Sequence, residues 1–236
     1  MSPGDAAAGR GPGLLELERE VISCRRCPRL VAWREEVARV RRAAFAEQQY
    51  WGRPVPGFGD PGARVMVLGL APAAHGGNRT GRVFTGDRSG DWLFAALWRA
   101  GFANQPESRA ADDGLELTGC YVAAAVRCAP PVNRPSPIER DNCLPYLERE
   151  LELLSELDVV VCLGGFAWDV ALRARTALGA ERIRPRPSFT HGAVVPGPPW
   201  TILGCYHVSQ QNTFTGRLTE SMLDAVFAKA KELTQP

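Results

Sequence analysis

No apolar run in this chain of 236 residues approaches the roughly 18 needed to cross a bilayer. The opening stretch, MSPGDAAAGRGPG, lacks the apolar core of a secretory signal. Both absences point to a soluble cytoplasmic protein with no membrane partner. Lysine is nearly missing too: of 28 basic residues only Lys229 and Lys231 are lysines, leaving 26 arginines. Arginine suits bidentate contact with phosphate, although codon usage in a GC-rich genome produces the same bias. The net charge of +2 is too small to require a nucleic-acid partner. Local clustering says more. Arg25, Arg26, Arg29, Arg34, Arg39, Arg41 and Arg42 crowd one segment, and Arg173, Arg175, Arg182, Arg184 and Arg186 crowd another. Each reads either as a phosphate-facing strip or as a solvated face.

With 45% hydrophobic residues, the chain suffices for one well-buried domain and is short for two. Residues 14–236 are read as that domain. Residues 1–13, mostly Gly, Ala and Pro with two charges, bury too little to offset the entropy of ordering and are expected to form a disordered tail. Short apolar runs at 64–70, 119–126, 158–165 and 201–208 read as strands buried on both faces. Helix-period segments lie at 90–99, 137–157, 166–178 and 217–233, and a Pro/Gly turn region at 53–63 joins an N-terminal helical pair to the sheet. The alternation predicts a three-layer α/β/α fold around a central, mainly parallel sheet of about four strands. In such sheets the ligand crevice lies beyond the carboxyl ends of the strands. The 22-residue loop LAPAAHGGNRTGRVFTGDRSGD after the first strand is long for its place, which marks it as functional.

Of seven cysteines, Cys120, Cys162 and Cys205 sit in strand runs and read as small buried hydrophobes. Cys24 and Cys27 form a C-x2-C, while Cys128 lies at the mouth of the second strand and Cys143 in the following helix. Four thiolates in polar surroundings point to one metal site, and sulfur-only ligation suits tetrahedral zinc or an iron-sulfur cluster equally. Between Cys27 and Cys128 lie 100 residues, so the site would staple the N-terminal helices to the sheet. Electron carriers usually hold their cluster cysteines closer in sequence.

Three segments together resemble the uracil-DNA glycosylase superfamily, specifically its family-5 branch: GLAPAAHGGNRTGRVFTGDRSG at 69–90, RCAPPVNRPSPIERDNC at 127–143 with the C-x2-C, and HVSQQNTFTG at 207–216. The resemblance spans nearly the whole chain. It implies a [4Fe-4S] cluster on Cys24, Cys27, Cys128 and Cys143, and action on DNA that carries uracil or another damaged base; a monomer is expected. The neighbouring family-4 pattern reads GEAPG in the first motif and has an Asn on the second strand that reads uracil. This chain has Leu70, Ala73 and Ala124 at the corresponding places. Without that amide, exclusion of other bases is relaxed, and hypoxanthine or etheno-cytosine become candidate substrates.

Hydrolysis of a deoxyribosyl N-glycosidic bond needs support for a cationic sugar, a positioned water, and a hydrogen-bond donor for the departing base. Asp87 and His207, both in loops facing the predicted crevice, supply a carboxylate and an imidazole. Asp87 alternatively caps the following helix, a duty assigned here to Asp91. His75 is a candidate sugar or phosphate contact, and His191 reads as an ordinary loop residue. Asn133 is a candidate for positioning water or phosphate near Asp87, or a plain turn residue. By resemblance, Phe84 stacks on the flipped base, while Gly69, Ala71 and Pro72 form a floor of close-approaching backbone. Gln211 and Asn212 enter the groove or fill the vacated hole, and Arg134 lies along the phosphate backbone. The rival reading is a non-catalytic iron-sulfur protein that binds DNA or senses redox state.

Overall fold

A computed structural model describes residues 12–234. The expected tail falls outside the described residues except for Pro12 and Gly13, and these two are helical, opening α1 (Pro12–Ser23). A second helix, α2 (Pro28–Val40), has its proline in the first turn, where a missing N–H costs nothing. The chain continues through β1 (Phe58–Gly59), β2 (Val65–Gly69), α3 (Gly77–Thr80), α4 (Arg88–Arg99), β3 (Cys120–Ala124) and α5 (Pro137–Leu153). It ends with β4 (Val159–Leu163), α6 (Gly165–Ala177), β5 (Val194–Val195), β6 (Thr201–Cys205), α7 (Gln210–Phe214) and α8 (Glu220–Leu233).

The strand order is β1-β3-β2-β4-β6-β5. β3, β2, β4 and β6 are parallel, as the apolar runs predict. The sheet is larger than expected by β1 and β5, which pair antiparallel at its two edges. Two-residue strands leave no periodicity to read, and such short edges offer little template for pairing with other chains.

Alternation along each strand sends side chains to opposite faces. Val65, Val67, Val122, Val161 and Leu203 pack under α4 and α8. Met66, Leu68, Ala123, Val160, Cys162 and Ile202 pack under α1, α5 and α6. β2, β3 and β4 are buried at every position, hence their unbroken apolar sequences. The result is the three-layer α/β/α arrangement. Cys120, Cys162 and Cys205 are fully buried, as small hydrophobes in that core. Helix α5 opens with a capping box, Ser136 Oγ accepting from the Glu139 amide while Glu139 Oε2 accepts from the Ser136 amide. Among the described residues no helix is long and apolar enough to cross a membrane.

Candidate active site

β3 and β4 flank β2 on opposite sides, so the chain leaving β2 enters the crevice where strand order reverses. That chain is the long loop, and buried arginines hold its shape. Arg79 donates to the carbonyls of His75 (2.7 Å) and Gly86 (2.8 Å) and to Gln48 Oε1 (2.6 Å). Arg82 is bound by Thr85, Ser108 and both oxygens of Asp113, at 2.7–3.0 Å. Neither is recognisable in sequence, where a buried arginine looks like an exposed one. Their signal is the carbonyl-rich loop itself, whose acceptors need donors once water is excluded.

Asp87 is the N-cap of α4, and Asp91 sits exposed in the first turn, which corrects the assignment of the cap to Asp91. Oδ1 accepts both cap bonds, from the amides of Ser89 and Gly90 at 3.0 Å each. Oδ2 has no hydrogen-bond partner among the described residues. It faces Gly76, where an added Cβ would lie 2.0 Å from it. Gly90 is equally constrained, since a Cβ there would meet the Phe84 carbonyl at 1.9 Å. Burial pushes the Asp87 carboxyl above its usual range, and the two cap amides pull it part of the way back. One carboxylate thus has a structural oxygen and a free one.

His207 follows β6, half-buried, with its ring 6.1 Å from that of Phe84. Burial pushes its pKa down to about 4, so the imidazole is neutral at physiological pH. Phe84 is itself buried within the main core and adopts φ +54°, a strained conformation for a bulky residue. Its ring crosses the end of β2, and a Cβ on Gly69 would lie 2.6 Å from it. Phe84 itself, then, already accounts for the small residue at Gly69. Ala71 packs against the cysteine-bearing cluster and Pro72 is buried. Asn212 Nδ2 donates to the His207 carbonyl at 2.8 Å, so this amide braces the histidine instead of projecting freely outward. Gln210, Gln211 and Phe214 are the exposed side chains of α7, with Arg88 stacked 5.6 Å from the Phe214 ring.

His75 Nδ1 is engaged with Tyr50 Oη at 3.0 Å. His191 Nδ1 accepts from the Tyr206 amide at 3.1 Å, an ordinary satisfied loop histidine. Asn133 and Arg134 lie exposed on the loop before α5, and the hydrogen bonds of the Asp87 carboxylate go to Ser89 and Gly90, not to Asn133. Val132 and Asn133 are both left-handed, with Val132 80% exposed. Most of the N-terminal arginine group is used internally. Arg29 pairs with Glu139, Arg25 with Glu35 and Arg39 with Glu36.

Cys24, Cys27, Cys128 and Cys143 line one small cavity between α2 and α5. Arg34 Nη1 donates to Cys128 Sγ at 2.9 Å and Asn142 Nδ2 to Cys27 Sγ at 3.4 Å. Among the described residues, no group of three or more His, Cys, Asp or Glu side chains is gathered as a single-ion site. Burial pushes the Cys128 and Cys143 thiols up to about 12 and 11. Beside them Arg127 is neutralised by Glu150, whereas Arg34 has no carboxylate partner among the described residues and its Nε is buried without a hydrogen-bond acceptor there. A sulfur-only donor set under the uncompensated Arg34 guanidinium fits a thiolate-bound, anionic group.

The chain matches the family model described as the uracil DNA glycosylase superfamily over residues 56–231. It is similar to the type-5 uracil-DNA glycosylase of Mycobacterium bovis, 57% identical over 228 residues that cover 96% of this chain and 84% of the relative. To the type-5 uracil-DNA glycosylase of Thermus thermophilus it is 53% identical over 214 residues, covering 90% and 94%. A type-4 uracil-DNA glycosylase from Archaeoglobus fulgidus is 30% identical over 153 residues, covering 64% and 60%.

Proposed function

The chain belongs to the uracil DNA glycosylase superfamily, and we propose that it is a monofunctional glycosylase that hydrolyses the N-glycosidic bond of uracil in DNA. The observation that carries this reading is the divided duty of Asp87. One oxygen caps α4, and the other is free in a buried loop whose Phe84 ring adjoins a neutral histidine.

The base leaves with the electron pair of the C1′–N bond. His207, neutral, donates a hydrogen bond to a base carbonyl as negative charge grows there. The sugar becomes cationic, and Asp87 Oδ2 stabilises that charge and orients a water toward C1′. Water oxygen bonds to C1′, and its proton passes to solvent or to the expelled base. Asp87 meets this need as an anion, and its burial strengthens the field it exerts. Phe84 offers a π-face to the flipped base, with Gly69, Ala71 and Pro72 beneath. Ala124 brings no amide to the base edge, so hypoxanthine and etheno-cytosine are accepted beside uracil. Asn133, Arg134 and Gln211, all exposed, serve the DNA backbone and the vacated site.

Cys24, Cys27, Cys128 and Cys143 hold a [4Fe-4S] cluster in this reading. When bound, it supplies a cross-link between α2, the mouth of β3 and α5, and no part of the hydrolysis. Its loss is expected to loosen the N-terminal helices. Iron and sulfide content and visible absorbance of anaerobically purified protein test it, with Cys128→Ser as the variant that should lose all three.

The activity is tested with single- and double-stranded oligonucleotides bearing one uracil, followed by alkali. Cleavage at the uracil position, lost in Asp87→Ala and His207→Ala while the visible chromophore persists, is the result expected. DNA binding without cleavage would replace this reading by that of a non-catalytic binder.

A further inference from the structure

The second arginine group of the sequence takes no part in this chemistry. Helix α6 starts beside His207, since a Cβ on Gly164 would lie 3.4 Å from the histidine Cβ. Thirteen residues at about 1.5 Å each carry its other end roughly 18 Å away. There the last turns of α6 and the segment after it line a half-open cavity of about 370 Å³, within the size range of small-molecule sites.

Arg173, Arg175, Arg182 and Arg186 line this cavity with a single lining carboxylate, Glu181. Asp169 adds a second nearby: Arg173 Nε donates to its Oδ2 at 2.8 Å, and Arg186 holds its other oxygen. Four positive charges against two negative leave two uncompensated. The C-terminus of α6 offsets only about half a unit, so a net positive charge of more than one persists. Arg175 is buried and has no carboxylate partner among the described residues. Its Nε and Nη2 donate to the carbonyls of Pro198 (3.1 Å) and Pro196 (3.0 Å), and its Nη1 meets no acceptor among those residues. Burial without a counter-charge pulls its pKa below the usual arginine value. Leu172, Ile183 and Pro187 give the same cavity an apolar wall.

We propose that this cavity binds a small phosphate monoester, with its dianionic group on the arginines and its carbon body against the apolar wall. A monoester carries close to two charges at neutral pH, which matches the surplus. A phosphodiester of DNA carries one, and the cavity lies at the end of α6 remote from His207. The inference does not depend on the glycosylase reading.

The test is calorimetric titration of the full-length protein with adenosine 5′-monophosphate, adenosine and inorganic phosphate at low ionic strength. Adenosine monophosphate should bind saturably with Kd below about 1 mM, and both halves of the molecule at least about tenfold more weakly. Arg182 is exposed, so Arg182→Gln should fold normally. It should weaken the nucleotide by at least about tenfold, the loss of one charge-assisted hydrogen bond, while uracil release stays unchanged. Equal affinity for adenosine, equal affinity for phosphate alone, no saturation by about 10 mM, or indifference to Arg182→Gln would each overturn the proposal. So would displacement of the nucleotide by a short undamaged duplex, which would assign the arginines to the DNA backbone.

Discussion

Replacing Asp87 by asparagine separates the two duties of this side chain. Asn is as good an N-cap as Asp, because its amide oxygen accepts the same N–H bonds that Oδ1 takes from Ser89 and Gly90. The variant loses the favourable meeting of an anion with the helix N-terminus, about 0.3–1 kcal/mol. It also escapes the cost of a buried charge, visible in the raised carboxyl pKa. The two terms oppose, so stability should change by less than about 1 kcal/mol, a shift of roughly 2–4 °C in Tm for a domain of this size. Catalysis has no such compensation. Losing one preorganised electrostatic group costs about 2.7–4 kcal/mol, or roughly 10²–10³ in rate. Asp87→Ala should lose the same activity and a further 0.5–2 kcal/mol or so of stability with the cap. Single-turnover uracil release and thermal unfolding, measured on the same preparations, read the two effects. Wild-type turnover in Asp87→Asn, with only Asp87→Ala impaired, would show that the carboxylate serves as a cap and nothing more.

Gly76→Ala tests the free oxygen from the other side. Its Cβ would stand 2.0 Å from Asp87 Oδ2, so one of the two groups must move by more than 1 Å or so. A displacement of that size costs about 10²-fold in kcat, against an overpacking penalty of about 1–3 kcal/mol in unfolding free energy. Turnover unchanged at unchanged Tm would mean that Oδ2 is not the working oxygen. The pH profile follows from the two titrating groups. His207 stays neutral above about 4, so kcat/KM should show no limb near the ordinary histidine value of 6.5. Asp87 must be ionised and its pKa is raised, so the rate should fall on the acid side at a pH above the usual carboxylate range. For stability the signs differ. The lowered pKa of His207 makes the unfolded chain bind the extra proton, so stability falls as pH drops from about 6.5 toward 4. Asp87, with its raised pKa, opposes that fall. Thermal midpoints at pH 7 and 5 should therefore differ less in His207→Phe than in the wild type.

Element type was largely legible in the chain, because burial on both faces leaves unbroken apolar runs and helices leave a period. All four parallel strands fall within the runs at 64–70, 119–126, 158–165 and 201–208, with at most three residues trimmed from either end. β1 and β5 were not legible, since two residues cannot display a pattern. The family motifs name the candidate site residues, while the contacts each one makes are not legible in the sequence. Asp87 and Asp91 are equivalent as text for a helix cap, and only the path of the loop decides that Asp87 takes both amides. Asn212 reads as an exposed amide in SQQN, yet it donates to the His207 carbonyl. Small residues at Gly69 and Gly76 announce close approach without naming the approaching group, which proves to be Phe84 in one case and the Asp87 carboxylate in the other.

By itself, then, the sequence determined layer order, the strand core, the position of the long loop beyond β2, and the four cysteines set apart from the three core ones. These are consequences of local period and of residue chemistry, which a linear string carries. Tertiary structure alone decided which arginines are spent inside the molecule. Arg79 and Arg82 shape the loop, Arg34 faces a cysteine sulfur, and Arg175 lies buried at the far end of α6, paired with no carboxylate among the described residues. It also decided which side chains meet the sulfurs across the gap of 100 residues between Cys27 and Cys128, Arg34 on Cys128 and Asn142 on Cys27. Pairing over such distances depends on how the layers stack, because partners and burial are properties of the packed chain and not of its neighbours in sequence.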